Sequence, residues 1–201
     1  MRVSHNEVEA LAMKAARGAG FPWGDCEEIA AAARWMAEQG LDVARGLCAL
    51  LTDPNRQERS SCPVAAGIAW SDGTISTSPV ARWQRLRHPV WLVAMIGAAL
   101  RHKLQHAEIA WPGWRIVIHG RGWRASSDFG ALVDVRTASD IEVTLRPGIL
   151  AGAGEMSSAS GGLGVSPADW SALERLAART HVPESQASRE TGAGAGTSDN
   201  D

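Results

Sequence analysis

The chain has 201 residues, of which 45% are hydrophobic and 21% are charged, and its net charge at pH 7 is −2. This length and composition suit one folded domain, with or without an appendage, and exclude a disordered chain. A protein that binds duplex nucleic acid needs a basic face, and the near-neutral charge gives little reason to expect one, so we expect no nucleic-acid partner.

Three cysteines, Cys26, Cys48 and Cys62, stand at wide and irregular spacing. An odd number without a C-x-x-C pair argues against a disulfide framework and a zinc ribbon, and favours a reducing compartment. The N-terminus lacks the apolar segment of a signal peptide, and the longest uncharged run, residues 88–100, is shorter than the roughly 20 residues that span a bilayer. We therefore expect a cytoplasmic protein without a membrane partner.

The first 51 residues are predicted to form a helical unit. Apolar residues recur at helical spacing over residues 4–20, and Ser4 with Glu7 three positions later forms a capping box at the start of that helix. The segment DVARGLCALL predicts a third, short helix after Gly40.

The second helix and the segments after the helical unit are predicted from capping and turn residues. Asp25 and Glu28 repeat the capping-box pattern, so a helix is expected to begin there and to run to about Gln39. Residues 52–63 form a polar loop. The segment PVAAGIAWSDGTIST has a Ser-Asp-Gly turn between two short apolar runs, which predicts a β-hairpin, and SPVARWQRL predicts one or two helical turns.

Residues 64–146 are predicted to combine a buried helix with an antiparallel meander. Pro89 suits the first turn of a helix that continues to about Leu104. The segments AEIAW and WRIVIHG flank the turn Pro112-Gly113, and GALVDVR and IEVTLRP follow as further strands. A meander packed on this helix and on the N-terminal helices predicts an α+β fold, in a core domain of residues 1–150.

Residues 151–165 are rich in Gly, Ser and Ala, which predicts a flexible linker. The next segment, SPADWSALERLAART, has an apolar stripe at helical spacing, with Ser166 as a capping residue and Pro167 in the first turn. We expect this helix to dock on the same domain or on a neighbouring subunit. Residues 166–201 are thus predicted to be a tethered C-terminal helix and a Gly-rich arm.

The two ends of the chain resemble an uncharacterised bacterial family, a domain of unknown function. At the start the matching positions are Ser4, Asn6, Glu7, Lys14, Arg17, Gly18, Gly20, Trp23, Gly24, Glu27, Glu28, Arg34 and Trp35; at the end they are Pro183, Glu184, Ser188, Arg189, the Gly-Ala run and Asp199 to Asp201. The family has no established activity, so the resemblance implies only that both ends follow its pattern. The first two helices are also similar to the N-terminal unit of the malate/lactate dehydrogenase-like oxidoreductases, but the chain has no counterpart of their nicotinamide-binding region.

Charged residues on the first helix predict an anion site. Lys14 and Arg17 share a helix face, and Glu7 lies two turns before Lys14. Two cations can hold an anionic ligand, and a desolvated lysine can act as a base or form a Schiff base. The alternative interpretation is a solvated helix face.

Carboxylates in the second helix offer acid–base groups, since Glu27 and Glu28 are adjacent and Arg34 follows two turns after Glu27. The alternative is that these acids only complement the helix dipole. The predicted catalytic residues are Lys14, Glu7 and Glu28, and the predicted ligand-binding residues are Arg17, Trp23, Arg34, Arg189 and Gly194.

Two further patterns resemble functional sites. His102 and His106 have the spacing of zinc ligands on a helix, but the motif lacks its glutamate and a third ligand, so no metal site is predicted. Trp111, Trp114 and Trp123, with arginines nearby, could stack on a base or enclose a cationic ligand, and packing within the fold is the alternative.

The C-terminal segment TGAGAGTSDND, residues 191–201, is not a phosphate-binding loop, because the strand, helix and Gly-Lys-Ser/Thr of such loops are missing. Asp199, Asp201 and the terminal carboxylate could bind a hard cation. Composition alone predicts disorder, whereas the family resemblance favours an ordered arm packed near the first two helices.

Together these features predict a cytoplasmic protein that binds a small, anionic metabolite. It would be an enzyme of bacterial small-molecule metabolism or an accessory subunit of one, and a homo-oligomer or part of a complex. The cofactor, if there is one, is not specified by the sequence. The alternative is a non-catalytic oligomerisation module in which the helices and the arm form the interface.

Overall fold

The computed structural model describes residues 1–73, 80–119, 122–148 and 163–180. These residues form an α+β fold, as the sequence predicts. In chain order, the elements are β1 (Arg2–Val3), α1 (His5–Gly18), α2 (Trp23–Glu38), α3 (Val43–Thr52), α4 (Pro63–Ser71), β2 (Val80–Arg87), α5 (Val90–Leu100), β3 (Gln105–Trp111), β4 (Trp114–His119), β5 (Gly122–Ala125), a 3-10 helix (Phe129–Asp134), β6 (Thr137–Pro147), β7 (Leu163–Gly164) and α6 (Pro167–Ala178).

The main sheet is antiparallel and has five strands in the order β2-β6-β3-β4-β5. Its register places Ile109 of β3 opposite Ile116 of β4 and Val143 of β6. These side chains are fully buried, while their neighbours along each strand are more exposed. One face of the sheet therefore contributes to the core and the other faces solvent.

Helix α5 lies at the centre of the molecule. Nearly all of its residues are buried, and it packs against α2, α4 and the strands β3 and β4. Gly97 of α5 lies so close to the Trp35 ring of α2 that an added Cβ would collide with it. A helix that is apolar on all sides is typical of such a buried position. No described helix is long and apolar enough to cross a membrane.

Several predicted elements are confirmed. Ser4 and Glu7 form the capping box of α1, and α3 occupies the predicted segment. Strands β3 and β4 flank the turn at Gly113, and β6 contains the last predicted strand. Helix α6 begins after Ser166, whose hydroxyl accepts a hydrogen bond from the Asp169 N–H.

The predicted start of the second helix is wrong. Helix α2 begins at Trp23 after Pro22, and among the described residues no side chain caps it. Asp25 is already in the first helical turn, so the pattern with Glu28 does not mark the helix start. Phe21 is buried, which brings the chain into the core directly before the helix.

The predicted hairpin and the short helix after it are also wrong. The segment from Pro63 is helix α4, capped by the Cys62 sulfur, and residues 74–79 lie outside the described part of the chain. In the segment from Pro63, apolar and polar residues do not alternate. A short apolar run of this kind fits a buried helix as well as a strand. The segment SPVARWQRL contains strand β2, which pairs with β6 at the sheet edge.

Two further boundaries differ from the prediction. The segment GALVDVR, residues 130–136, is predicted as a strand, but most of it belongs to the 3-10 helix Phe129–Asp134. This helix begins after Asp128, whose carboxylate accepts a hydrogen bond from the Gly130 N–H. Helix α5 ends at Leu100 rather than near Leu104. After a short turn the chain enters β3 at Gln105. The pairing of β3 with β4 and β6 determines the strand conformation of this segment.

Helix α6 docks on its own domain, against α1 and α3. Gly18 of α1 faces the Leu176 carbonyl of α6 so closely that a Cβ would collide with it. Strand β7 pairs with β1, and the Met1 ammonium donates a hydrogen bond to the Val165 carbonyl over 2.9 Å. Most of the predicted linker and all of the predicted arm beyond Thr180 lie outside the described residues.

We predict that Gly18→Ala loosens the contact between α1 and α6. Alanine favours a helix, but here its methyl group meets the Leu176 backbone, and overpacking of this kind costs about 1–3 kcal/mol. Urea unfolding measures the loss, and hydrogen exchange should show faster exchange in α6.

Gly24→Ala is the matched control, because a Cβ at Gly24 meets no atom of the described residues within 4 Å. It should change the stability by less than about 1 kcal/mol, in the stabilising direction. Equal stability of the two variants, with α6 equally protected, would contradict the packing of α6 on Gly18.

Candidate functional site

A buried carboxylate joins the end of α3 to the end of β2. The Asp53 side chain is 3% exposed, and its Oδ2 accepts a hydrogen bond of 2.6 Å from Arg87 Nε and lies 2.9 Å from His88 Nε2. Its Oδ1 accepts a hydrogen bond of 2.8 Å from the Asn55 N–H. Three donors therefore converge on one carboxylate, which fixes the loop after α3 relative to the sheet.

His88 is held in an uncommon backbone conformation, with φ of 43°. Its N–H donates to the Arg136 carbonyl over 2.9 Å. Burial lowers the pKa of His88, with smaller contributions from Arg136 and Arg87, and the nearby Asp53 opposes this effect without outweighing it. The imidazole is therefore neutral at pH 7, and since a carboxylate can only accept, Nε2 carries the proton donated to Asp53.

The Asp53 carboxyl stays ionised in this buried position. Burial alone would raise its pKa, but the hydrogen bonds from Arg87, the Asn55 N–H and His88 together lower it below the ordinary value. The charge is thus compensated by Arg87 and retained inside the protein.

The loop between α3 and α4, residues 53–62, is also fixed on its other side. Arg56 donates from Nη2 and Nε to the Ala19 carbonyl, over 2.6 and 3.2 Å, and Gln57 donates to the Gly20 carbonyl over 2.9 Å. These bonds satisfy carbonyls at the end of α1 that have no partner within the helix. The loop therefore connects the turn between α1 and α2 to the sheet.

A cleft of about 660 Å³ opens between this loop, the α1–α2 turn, α4 and β2. Its apolar lining includes Phe21, Pro22, Ala65, Ile68 and Trp83. Its polar lining consists of Asp25, Gln57, Arg59, Cys62 and Asp72. An apolar cleft of this size with a few polar groups is the usual form of a small-molecule site.

The charged side chains of the cleft have no partners within the described part of the chain. Asp25, Arg59 and Asp72 make no side-chain hydrogen bond or ion pair there. Arg59 and Asp72 are exposed, whereas Asp25 is half-buried and its burial raises its pKa. Among the charged groups of the lining, the Asp25 carboxylate is therefore the one most affected by desolvation.

Cys62 is the sulfur-bearing residue of the lining. Its Sγ accepts a hydrogen bond of 3.4 Å from the Ala65 N–H at the start of α4. Burial raises its pKa, with a further small effect of the Asp25 charge, although the N–H groups of Ala65 and Val64 act in the opposite direction. The thiol is protonated at pH 7 and is a poor nucleophile in this state.

The residues predicted from the α1 pattern do not line the cleft. Glu7 is part of the capping box, and hydrogen bonding to the backbone N–H and hydroxyl of Ser4 lowers its pKa. Lys14 is exposed on α1, and Arg17, also exposed, donates to the Phe21 carbonyl over 3.1 Å. The exposure of Lys14 and Arg17 fits the alternative that these charges form a solvated helix face. Arg17 also supports the turn that leads to the cleft.

The predicted residues on α2 are also separate from the cleft lining. Glu28 is exposed. Arg34 donates to Glu9 over 2.7 Å and to Glu38 over 3.1 Å, and hydrogen bonding to these carboxylates raises its pKa. Arg101 also binds Glu38, so this network joins α1, α2 and the end of α5.

The other three predicted residues lie beside the cleft or outside the described residues. Trp23 is 58% exposed and follows directly after Pro22 of the cleft lining. Arg189 and Gly194 lie outside the described residues.

The two histidines do not form a pair, and the three tryptophans stack on other aromatic side chains. His102 is exposed after the end of α5, while His106 lies in β3, so the two do not share a helix face. Trp111 stacks on Trp114, and Trp123 stacks on the buried Phe129. Across the four described ranges no group of three or more His, Cys, Asp or Glu side chains could hold a metal ion.

Comparison with known proteins identifies a family model that matches the N-terminal part of the chain. Residues 3–84 match the model of a family described as a protein of unknown function, DUF3726. This match confirms the resemblance of the N-terminal part of the chain to an uncharacterised family, but it does not reach the C-terminal segment. All cleft-lining residues, from Gly20 to Trp83, lie inside the DUF3726 match. No curated protein and no solved structure matches the chain.

We predict that the protein loses stability as the pH falls below about 6.5. His88 has a folded-state pKa below its ordinary value of 6.5, so the unfolded chain takes up the proton first and becomes relatively more stable. Burial also lowers the pKa of His119, which adds to the loss in the same range. Urea unfolding at pH values between about 8 and 5.5 measures this loss of stability.

The variant His88→Asn should show a smaller loss, since asparagine tolerates positive φ and does not titrate. His119→Gln removes only the other contribution and is the control. A wild-type-sized loss in His88→Asn would contradict the assignment of His88.

Proposed function

We propose that this protein binds a small molecule in the cleft between the α1–α2 turn, the 53–62 loop, α4 and β2. The observation that carries the proposal is Asp25, a half-buried carboxylate without a partner among the described residues, in a cleft of about 660 Å³. A partly desolvated charge is unfavourable unless a ligand or a partner compensates it.

The rigidity of the walls supports this proposal. Asp53 and Arg87 fix one end of the loop, and Arg56 and Gln57 fix the rest against the end of α1. A preformed cleft loses little conformational entropy when it is occupied, so more of the contact energy is available for binding.

The predicted anionic character of the ligand rests on Lys14 and Arg17, which lie outside the cleft lining. Within the cleft only Arg59 favours an anionic group, whereas Asp25 and Asp72 favour a cationic one. The proposal is therefore a binding function. A role as an enzyme or accessory subunit of bacterial small-molecule metabolism in the cytoplasm remains a prediction from the sequence.

The exposed apolar side chains give little support to the alternative function as an oligomerisation module. Trp23 and Leu104 are 58% and 74% exposed, but scattered apolar side chains are normal on soluble domains and do not mark an interface.

We predict that native mass spectrometry of protein purified from its own cells detects a bound small molecule that depends on the cleft. Ala65→Trp should fill the cleft and abolish the adduct, and Asp25→Asn should reduce it. Near-ultraviolet circular dichroism verifies that both variants are folded. The exposed Glu28→Gln, on the same helix as Asp25, is the control and should keep the adduct.

The variant Lys14→Arg separates the two possible positions of the ligand. An adduct that is lost in Lys14→Arg but kept in Ala65→Trp would place the ligand at α1 and refute the cleft. The absence of any adduct that responds to Ala65→Trp would count against the proposed function.

A further inference from the structure

The chemistry of the cleft also indicates which group its ligand carries. We infer that the ligand is an organic ammonium compound, with its cationic group against Asp25 and its apolar part against the Trp83 side of the cleft. This inference rests on the proposed function and adds the charge and shape of the ligand to it.

Asp25 is the group that would hold the cation. It lies in the first turn of α2, where an acid can complement the helix dipole, but α2 has no side-chain cap among the described residues. It is half-buried, and no described side chain neutralises it. An ammonium group donates charge-assisted hydrogen bonds to a carboxylate, which restores the interaction lost with water.

The remaining lining suits an apolar body. Trp83 of strand β2 and Ile68 of α4 are half-buried and line the cleft, together with the buried Phe21 at the α1–α2 turn. Aromatic surfaces bind flat apolar groups and also attract cations. A ligand with an amine at one end and an apolar group at the other matches both parts of the lining.

The balance of charge favours a cation over an anion. Asp25 and Asp72 carry two negative charges, and Arg59 carries one positive charge. Arg59 is exposed, so solvent and salt screen it more strongly than the half-buried Asp25. A second, anionic group on the ligand could still reach Arg59, but the cation makes the less screened contact.

Three probes with the same ring test the charge requirement: 2-phenylethylamine, 2-phenylethanol and 3-phenylpropanoate. Their dissociation constants for the full-length protein are measured from the amide shifts of residues 62–72 by NMR. The ammonium and the Asp25 carboxylate are both charged, whereas the alcohol donates from a neutral group, so the amine should bind at least about tenfold more tightly than the alcohol. The carboxylate should bind most weakly.

Asp25→Asn should reduce the affinity for the amine to that for the alcohol and leave the alcohol unchanged. Asp72→Asn, which changes an exposed acid of the same lining, should have a smaller effect on the amine. Folding of both variants is verified from the same NMR spectra.

Two outcomes would overturn the inference and leave the proposed function standing. One is binding of 3-phenylpropanoate to the cleft as tightly as the amine. The other is a natural adduct that depends on the cleft but carries no cationic group. If no probe shifts the cleft amides and no adduct responds to Ala65→Trp, then the proposed function fails together with the inference.

Discussion

The buried Asp53 carboxylate is the constraint on which the arrangement of the cleft depends. It receives hydrogen bonds from Arg87, His88 and the Asn55 N–H, and so it joins the end of α3 to the end of β2. Removing one member of a buried ion pair typically costs about 3–5 kcal/mol, and the value here should be at the lower end because Arg87 is partly exposed. The loop that starts at Asp53 forms one wall of the cleft, so this interaction positions the site without being part of its lining.

The buried helix α5 supports the elements that surround the cleft. Helix α5 is buried on nearly all sides. It packs against α2 and α4, which contribute residues to the cleft lining, and against β3 and β4 of the sheet. His88 lies two residues before the first residue of α5, in an uncommon backbone conformation, and is held by Asp53 and the Arg136 carbonyl. Strain of this kind persists only where the surrounding contacts over-determine it.

The sequence predicted those parts of the fold that depend on local patterns. The capping box of Ser4 and Glu7 and the strands on either side of Gly113 depend on neighbouring residues, and they were predicted correctly. Helix α4 and strand β2 were missed, because their apolar residues fit either structure and tertiary packing decides between them.

The candidate cleft could not be read from the sequence, because its parts come from segments that are distant along the chain. Asp53 and Arg87 are 34 residues apart, and no local spacing indicates that they pair. Charge patterns on α1 and α2 pointed instead to side chains that the structure places in caps, in ion pairs or in solvent. The cleft residues are nevertheless all within the part of the chain that matches DUF3726.

We conclude that Asp53 holds the wall of the cleft in place. Hydrogen exchange of Asp53→Asn, under conditions in which the protein stays folded, tests it directly at the amides of Arg56, Glu58 and Ser61, which are hydrogen-bonded within the loop. We predict faster exchange at these amides, with the amides of β3 and β4 unchanged. Unchanged protection of the loop in a folded Asp53→Asn variant would contradict the claim.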